Sequence, residues 1–228
     1  MKKIYVNILL AICTLGLVYA CFMSIYSDIA FDGEKSEREQ AVIARLLQVR
    51  DAEEKFKMSH GYYCGTIDSL IDYVKNDRAV DKIIKEGELT DDQLESGMTE
   101  KEAVAKGLIR RDTVWVAASE ILGISNPDSL KYVPVGKEGA LIQLRKGEEY
   151  NPKTEEWVAL VEFRASLDDY MDGVSPKRIK NLKSALKKLG RNKADLFDDN
   201  GDDIDGEWYG LRMGDLKDPN NKMAGNWE

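Results

Sequence analysis

A single uncharged stretch near the start constrains this chain more than anything that follows it. After Lys2 and Lys3, the run Ile4-Tyr-Val-Asn-Ile-Leu-Leu-Ala-Ile-Cys-Thr-Leu-Gly-Leu-Val-Tyr-Ala-Cys-Phe-Met-Ser-Ile-Tyr26 carries no charge, and the first acid is Asp28. At about 1.5 Å per helical residue it spans roughly 30 Å of hydrocarbon, enough to cross a bilayer once. Lysines precede it, and Asp28, Asp32 and Glu34 follow it. That asymmetry places the N-terminus in the cytoplasm and the main domain outside, with the cytoplasmic membrane as the first partner.

Two other fates of the run compete with a retained anchor. A cleaved signal peptide has a shorter apolar core, of about 7–15 residues. Here the run stays apolar past Ala20. Val18-Tyr-Ala-Cys21 resembles a lipobox, which makes Cys21 the candidate lipidation site, although Tyr19 and the hydrophobic Phe22–Tyr26 segment fit a spanning helix better.

The chain has 228 residues, of which 43% are hydrophobic and 32% charged, a balance that supports a folded domain beyond the anchor. The net charge of -8 argues against nucleic acid as a partner, because phosphate binding needs a basic surface, and equally against docking to an anionic membrane surface outside the anchor. Cys13 and Cys21 lie inside the apolar run, which leaves Cys64 alone in the rest. An internal disulfide is therefore not part of the design.

Periodicity divides the remainder. Asp32-Gly33 is expected to interrupt the helix, with Ser36-Glu-Arg-Glu39 restarting it as a capping box. Val42, Leu46, Val49, Ala52 and Phe56 then recur at helical spacing. Arg45, Arg50, Glu53, Glu54 and Lys57 are read as the opposite, polar face. The stripe Val42, Leu46, Val49, Phe56 is a candidate interaction surface, the alternative being that it packs on the chain's own sheet. His60-Gly61 ends that helix, with Gly as the left-handed cap, and Ile67–Val74 forms a second, short one. His60 is the only histidine and suits a helix C-terminus better than catalysis.

Residues 77–108 are polar, with helix starts at Thr90-Asp-Asp-Gln93 and Thr99-Glu-Lys-Glu102. Beyond them, residues 113–118, 132–135, 140–145 and 157–164 are β-branched or aromatic runs separated by turn residues, which predicts a small antiparallel sheet. Ser175-Pro176 opens a last helix ending at Gly190. The expected fold is α+β. It comprises an anchor over residues 1–31, an amphipathic helix with a Gly-Tyr-Tyr loop over 32–76, and a charged connecting segment over 77–112. A β-rich part with a C-terminal helix and an acidic loop then covers 113–228.

The stretch Asp51-Ala-Glu-Glu-Lys-Phe56-Lys-Met-Ser-His60-Gly61-Tyr62-Tyr63, followed by Ile67-Asp-Ser-Leu70-Ile-Asp-Tyr73-Val, resembles type IV pilins and type II secretion pseudopilins. In those families a long first helix ends on an aromatic, a short polar step and Gly-x-Tyr. The C-terminal Ala224-Gly225-Asn226-Trp227-Glu228 is similar to that of a group of uncharacterised single-pass bacterial envelope proteins, a likeness that brings no activity with it. The pilin resemblance implies a bacterial inner-membrane protein with one span and a periplasmic main domain. It implies partners among envelope assembly proteins or a second copy of the chain. A prepilin's leader Gly and early helical Glu have no counterpart around Ile4, which points to a fixed accessory subunit.

The one cluster with metal character is Asp198-Asp-Asn-Gly-Asp-Asp-Ile-Asp205-Gly206-Glu207. Asp198, Asn200 and Asp202 take the first, third and fifth places of an EF-hand-like loop, and Asp205 adds a fourth oxygen. The sixth place is Asp203 and the twelfth is Tyr209, so a full EF-hand is excluded. Calcium is the only candidate cofactor, and the resemblance adds to it because major pseudopilins hold calcium in a C-terminal loop. The alternative is an acidic turn neutralised by Lys177, Arg178, Lys180, Lys183, Lys187 and Lys188. Taken alone, that basic stretch would suggest lipid head groups or nucleic acid. No phosphate-cradling loop, nucleophile elbow or Cys/His zinc set is present, so no enzyme is expected. The expected role is a membrane-anchored, pilin-like or pseudopilin-like accessory subunit. An anchored or lipidated ligand-binding module using Trp115, Trp157, Trp208 and Trp227 is the alternative.

Overall fold

The computed structural model describes residues 2–87, 90, 97, 99–189, 193–197, 203–221 and 223–227. Helix α1 (Lys2–His60) carries both the apolar run and the amphipathic stripe without interruption over 59 residues. The expected break at Asp32-Gly33 and the N-cap at Ser36 are both corrected. One interior glycine costs a helix only about 1 kcal/mol. The turns after it are braced by Glu34–Arg38 at 2.7 Å and Lys35–Glu39 at 2.9 Å, both four residues apart. Ser36 is an interior helical residue whose Oγ accepts from Gln40 at 3.4 Å.

The end of α1 falls where Gly61 predicts it. That residue has φ +86°, and its N–H donates to the Lys57 carbonyl at 2.7 Å. Helix α2 (Ile67–Asn76) is capped by the Thr66 side chain and buries Leu70, Ile71, Tyr73 and Val74.

The charged segment holds more order than its composition suggests. Strands β1 (Arg78–Glu86) and β2 (Arg110–Ala117) pair antiparallel, with Arg78 opposite Ala117 and Glu86 opposite Arg110. Between them the short α3 (Glu100–Ala105) starts with the predicted Thr99/Glu102 capping box. The predicted start at residues 90–93 lies largely outside the described residues. Strand β2 passes straight into α4 (Ala118–Leu122), and a 3₁₀ turn (Pro127–Lys131) follows.

Residues 132–135 do not form the expected strand; Tyr132 makes a single bridge to Leu141. Pro134 has no N–H to donate. Gly136, at φ +88°, turns the chain so tightly that a Cβ there would collide with the Asp169 carbonyl oxygen.

Strands β3 (Gln143–Asn151) and β4 (Glu156–Ser166) form a hairpin, Gln143 opposite Arg164 and Asn151 opposite Glu156. After the short α5 (Leu167–Tyr170) and α6 (Pro176–Leu189), β5 (Lys193–Phe197) and β6 (Asp203–Met213) complete a four-stranded antiparallel sheet ordered β3-β4-β6-β5. One sheet face gives Val161, Phe163, Ala165, Leu211 and Met213 to a core shared with α1 and α2. On the other face Glu162 and Arg164 are also buried. The C-terminal segment joins the sheet here. Gly225 bridges Met213, and Asn226 donates to the Gly210 carbonyl at 3.0 Å and accepts from the Arg212 N–H at 3.0 Å.

Candidate functional site

Among the described residues, the stretch from Leu10 to Tyr26 packs on no other element. Leu17 is 66% exposed and Phe22 63%, and no residue of the most apolar window, mean hydropathy 1.8, is buried. Among the described residues this is the one helix long and apolar enough to cross a membrane. Bare apolar surface costs about 25 cal/mol per Å² in water, so a stripe this long needs lipid or protein around it. Cys13 and Cys21 are exposed on this segment, with Cys21 inside the unbroken helix.

Where the apolar run stops, the head grips the helix. Arg178 of α6 donates to the Ser27 carbonyl at 2.9 Å and to its hydroxyl at 2.6 Å, and pairs with Asp28 at 3.0 Å. Its guanidinium also lies 5.1 Å from the Phe31 ring centre. Two to three turns further along, Arg38 donates to the carbonyls of Tyr170 at 2.9 Å and Asp172 at 2.8 Å. Tyr170 is fully buried and its hydroxyl donates to Glu39 at 3.3 Å; burial first, then the Glu39 charge, push the phenol well above its ordinary range. These contacts fix the stem and the head as one body. Sequence patterns give no sign of them, because the partners lie more than a hundred residues apart.

The stripe read as a partner surface is instead the chain's own core. Val42, Leu46 and Val49 are 0% exposed and Phe56 9%. Phe56 stacks on His60 at 4.3 Å and meets Tyr73 edge-on at 5.1 Å. His60 sits in the last turn of α1, its Nδ1 3.1 Å from the Phe56 carbonyl oxygen.

Glu53, placed on the polar face by its chemistry, is also fully buried. Its Oε2 accepts the Cys64 N–H at 3.0 Å, while Oε1 has no hydrogen-bond partner. Burial drives its carboxyl up from 4.5 to about 7, against the smaller opposing pulls of that hydrogen bond and of Lys146. Burial likewise raises the neighbouring Cys64 thiol. The signal is present in the sequence: 53 is four residues after Val49 and three before Phe56, squarely in the stripe.

The second buried acid is Glu162, 2% exposed on the outer sheet face. Three arginines converge on it. Arg164 binds it directly from the same strand, Arg212 approaches at 3.4 Å and Arg145 at 3.6 Å. Arg212 also pairs with Asp215 at 2.9 Å, and Arg164 lies over the Trp208 ring at 5.3 Å.

Of the candidate calcium ligands, Asp198, Asn200 and Asp202 lie outside the described residues, and Asp205 falls within strand β6. The four tryptophans do not gather. Trp115 is 44% exposed on the two-stranded sheet, and Trp157 is 69% exposed at the β3–β4 end, with Tyr150 5.8 Å away. Trp208 is buried, and Trp227 packs against the core.

Comparison of the chain with protein-family models, with curated proteins and with solved structures finds no match. What the fold defines is therefore a class of architecture: an α+β head built onto one long helix whose other end is apolar and bare.

Proposed function

We propose that the chain is a single-pass, pilin-like or pseudopilin-like accessory subunit of a bacterial envelope secretion or pilus-type assembly, with no enzymatic role. The observation that carries this reading is the unbroken α1, bare at one end and clamped into the head at the other. A rigid stem of this kind lets helix–helix packing in the membrane dictate how the head is presented, which is the mechanical task of such subunits. The N-terminus lies in the cytoplasm and the head in the periplasm by the charge asymmetry around the run. Because the Val42–Phe56 stripe is internal, partners meet the bare segment between Leu10 and Ile29.

The test is photo-crosslinking in native membranes from Leu10, Leu17 and Phe22. Adducts with the chain itself or with envelope assembly proteins support the assembly role. Adducts with lipid alone refute it. The alternative of a ligand-binding module draws less support, since the exposed tryptophans sit on separate hairpins and form no common platform.

A further inference from the structure

Among the described residues, the cations of α6 are neutralised only in part. Lys183 pairs with Asp168 at 2.6 Å, Lys187 with Glu207 at 3.1 Å and Arg178 with Asp28 at 3.0 Å. Lys177, Lys180 and Lys188 are exposed, and their side chains make no ion pair or hydrogen bond among the described residues. With about 3.6 residues per turn, these three fall within about 80° of each other around the helix. The opposite side, Ile179, Leu182 and Leu186, leans on the core.

The position of α6 along the stem is what gives this face its meaning. The head meets α1 in order: α6 at Ser27 and Asp28, Tyr170 and Asp172 at Arg38, the Ser129 carbonyl at Arg45, and the Val80 carbonyl at Lys55. So α6 is the element nearest the apolar run, bound one and two residues past Tyr26, within about 3 Å of its end at helical rise. A cleft of about 430 Å³ opens there, lined by Phe31, Leu182 and Ala185 on its apolar part and by Asp28, Lys177 and Arg178 on its charged part.

We propose that α6 is a cationic foot that rests on the membrane surface, Lys177, Lys180 and Lys188 meeting the phosphates of anionic phospholipids. The proposal rests on reading α1 as a membrane span. The commitment to lipid follows from charge complementarity and from height: a cationic face held at the edge of an apolar span meets headgroups before anything else. Sequence distance conceals this, since Arg178 and Ser27 are 151 residues apart. The same distance keeps these lysines from influencing insertion topology, which counts charges close to the span along the chain. Each lysine near an anionic surface multiplies the contact equilibrium about fivefold, so three give a preference for anionic over neutral lipid on the order of 100-fold.

The test uses the full chain with Cys13→Ser, Cys21→Ser and Cys64→Ala, labelled with a fluorophore at Ser184→Cys on the exposed side of α6. It is reconstituted in phosphatidylcholine vesicles, with or without about one third phosphatidylglycerol, carrying headgroup spin-labelled lipid as quencher. A second label at Leu17→Cys, read with a quencher deep in the acyl chains, reports the span itself. The expected result is deep quenching at 17 in both vesicles and several-fold stronger quenching at 184 in anionic ones. The 184 signal should fall to the neutral-vesicle value in K177Q/K180Q/K188Q and in about 0.5 M salt, where screening is complete within a few ångströms. Quenching at 17 with no lipid-charge dependence at 184 overturns the foot while leaving the span intact. Absence of quenching at 17 overturns both. Protection at 184 that requires added membrane proteins, and not anionic lipid, assigns the face to a protein and overturns the proposal.

Discussion

Glu53→Gln is the substitution that most directly tests the account of the head's interior. The wild-type carboxyl sits fully buried, with one oxygen satisfied by the Cys64 N–H and the other by nothing. Burial raises it from 4.5 to about 7, which at about 1.4 kcal/mol per tenfold change is worth about 3 kcal/mol. The folded chain therefore holds a proton that the unfolded chain releases between those two values. Stability is fully present below about pH 4.5 and is lost as the pH rises through 7. An amide at this position cannot ionise, so the variant keeps its stability across that window. The expected outcome is wild type and E53Q within about 1 kcal/mol of each other at pH 5, and E53Q ahead by about 2–3 kcal/mol at pH 8. Urea unfolding of the full chain in neutral detergent, followed by tryptophan fluorescence from pH 5 to 8, measures both. With one histidine in the sequence, few other groups titrate there. Lys146→Met provides a second handle. It removes a cation that favours the carboxylate, so the folded-state value rises further and the loss of stability extends to higher pH. Parallel pH curves for wild type and E53Q would refute the reasoning, since Glu53 would then be ionised in the fold throughout.

Three further outcomes follow from the packing. Glu162→Gln leaves Arg145, Arg164 and Arg212 without their shared acid and costs about 3–5 kcal/mol in the same urea assay. Leu46→Ala, at 0% exposure, costs about 2–5 kcal/mol, whereas Leu17→Ala, at 66%, leaves head stability within about 0.5 kcal/mol of wild type. Gly136→Ala drives a Cβ into the Asp169 carbonyl oxygen at φ +88° and lowers the melting temperature far more than Gly123→Ala, at φ +62° with nothing within 4 Å. Thermal unfolding of the two glycine variants side by side checks the last of these.

The parts of this fold that are readable in the sequence are those in which local chemistry and tertiary environment agree. The apolar run, the 42–56 stripe, the Gly61 stop, the Thr99 capping box and Pro176 at the first turn of the last helix each state their structure within a few residues. The failures have physical reasons. Gly33 reads as a break because propensity weighs a residue alone, whereas neighbouring ion pairs and the Arg38 clamp hold the turns that follow it. Strand β4 forms where the run 157–164 predicts it, but it buries Leu160 to Ala165 on both faces, so that Glu162 and Arg164 carry charge inward. In β6 the acids Asp203, Asp205 and Glu207 read as loop, yet the strand is held by pairing with β5 and β4, which sequence does not display. Glu53 misleads for the converse reason: its charge outweighs its position.

The interior placement of the stripe changes where this molecule can do work. Between Val42 and Phe56 the apolar face of α1 is spent on the chain's own core, and the side left to solvent carries Gln40, Ala44, Gln48, Asp51, Glu54 and Met58 with no apolar stripe. The continuous uncovered apolar surface of α1 is the segment before Asp32, and the head reaches down to its edge through Arg178. A tilt of the stem therefore moves the head as a rigid lever, because Arg178 and Arg38 grip two levels of the helix about 15 Å apart. Cutting the Arg178 grip alone leaves the core stripe intact while freeing the lower contact. Arg178→Ala should therefore keep the urea midpoint nearly unchanged and still broaden the range of head orientations relative to the membrane, measurable as a wider distance distribution between spin labels at 17 and 184. An unchanged distribution would show that the core stripe alone fixes the lever and that the grip at Ser27 and Asp28 is incidental.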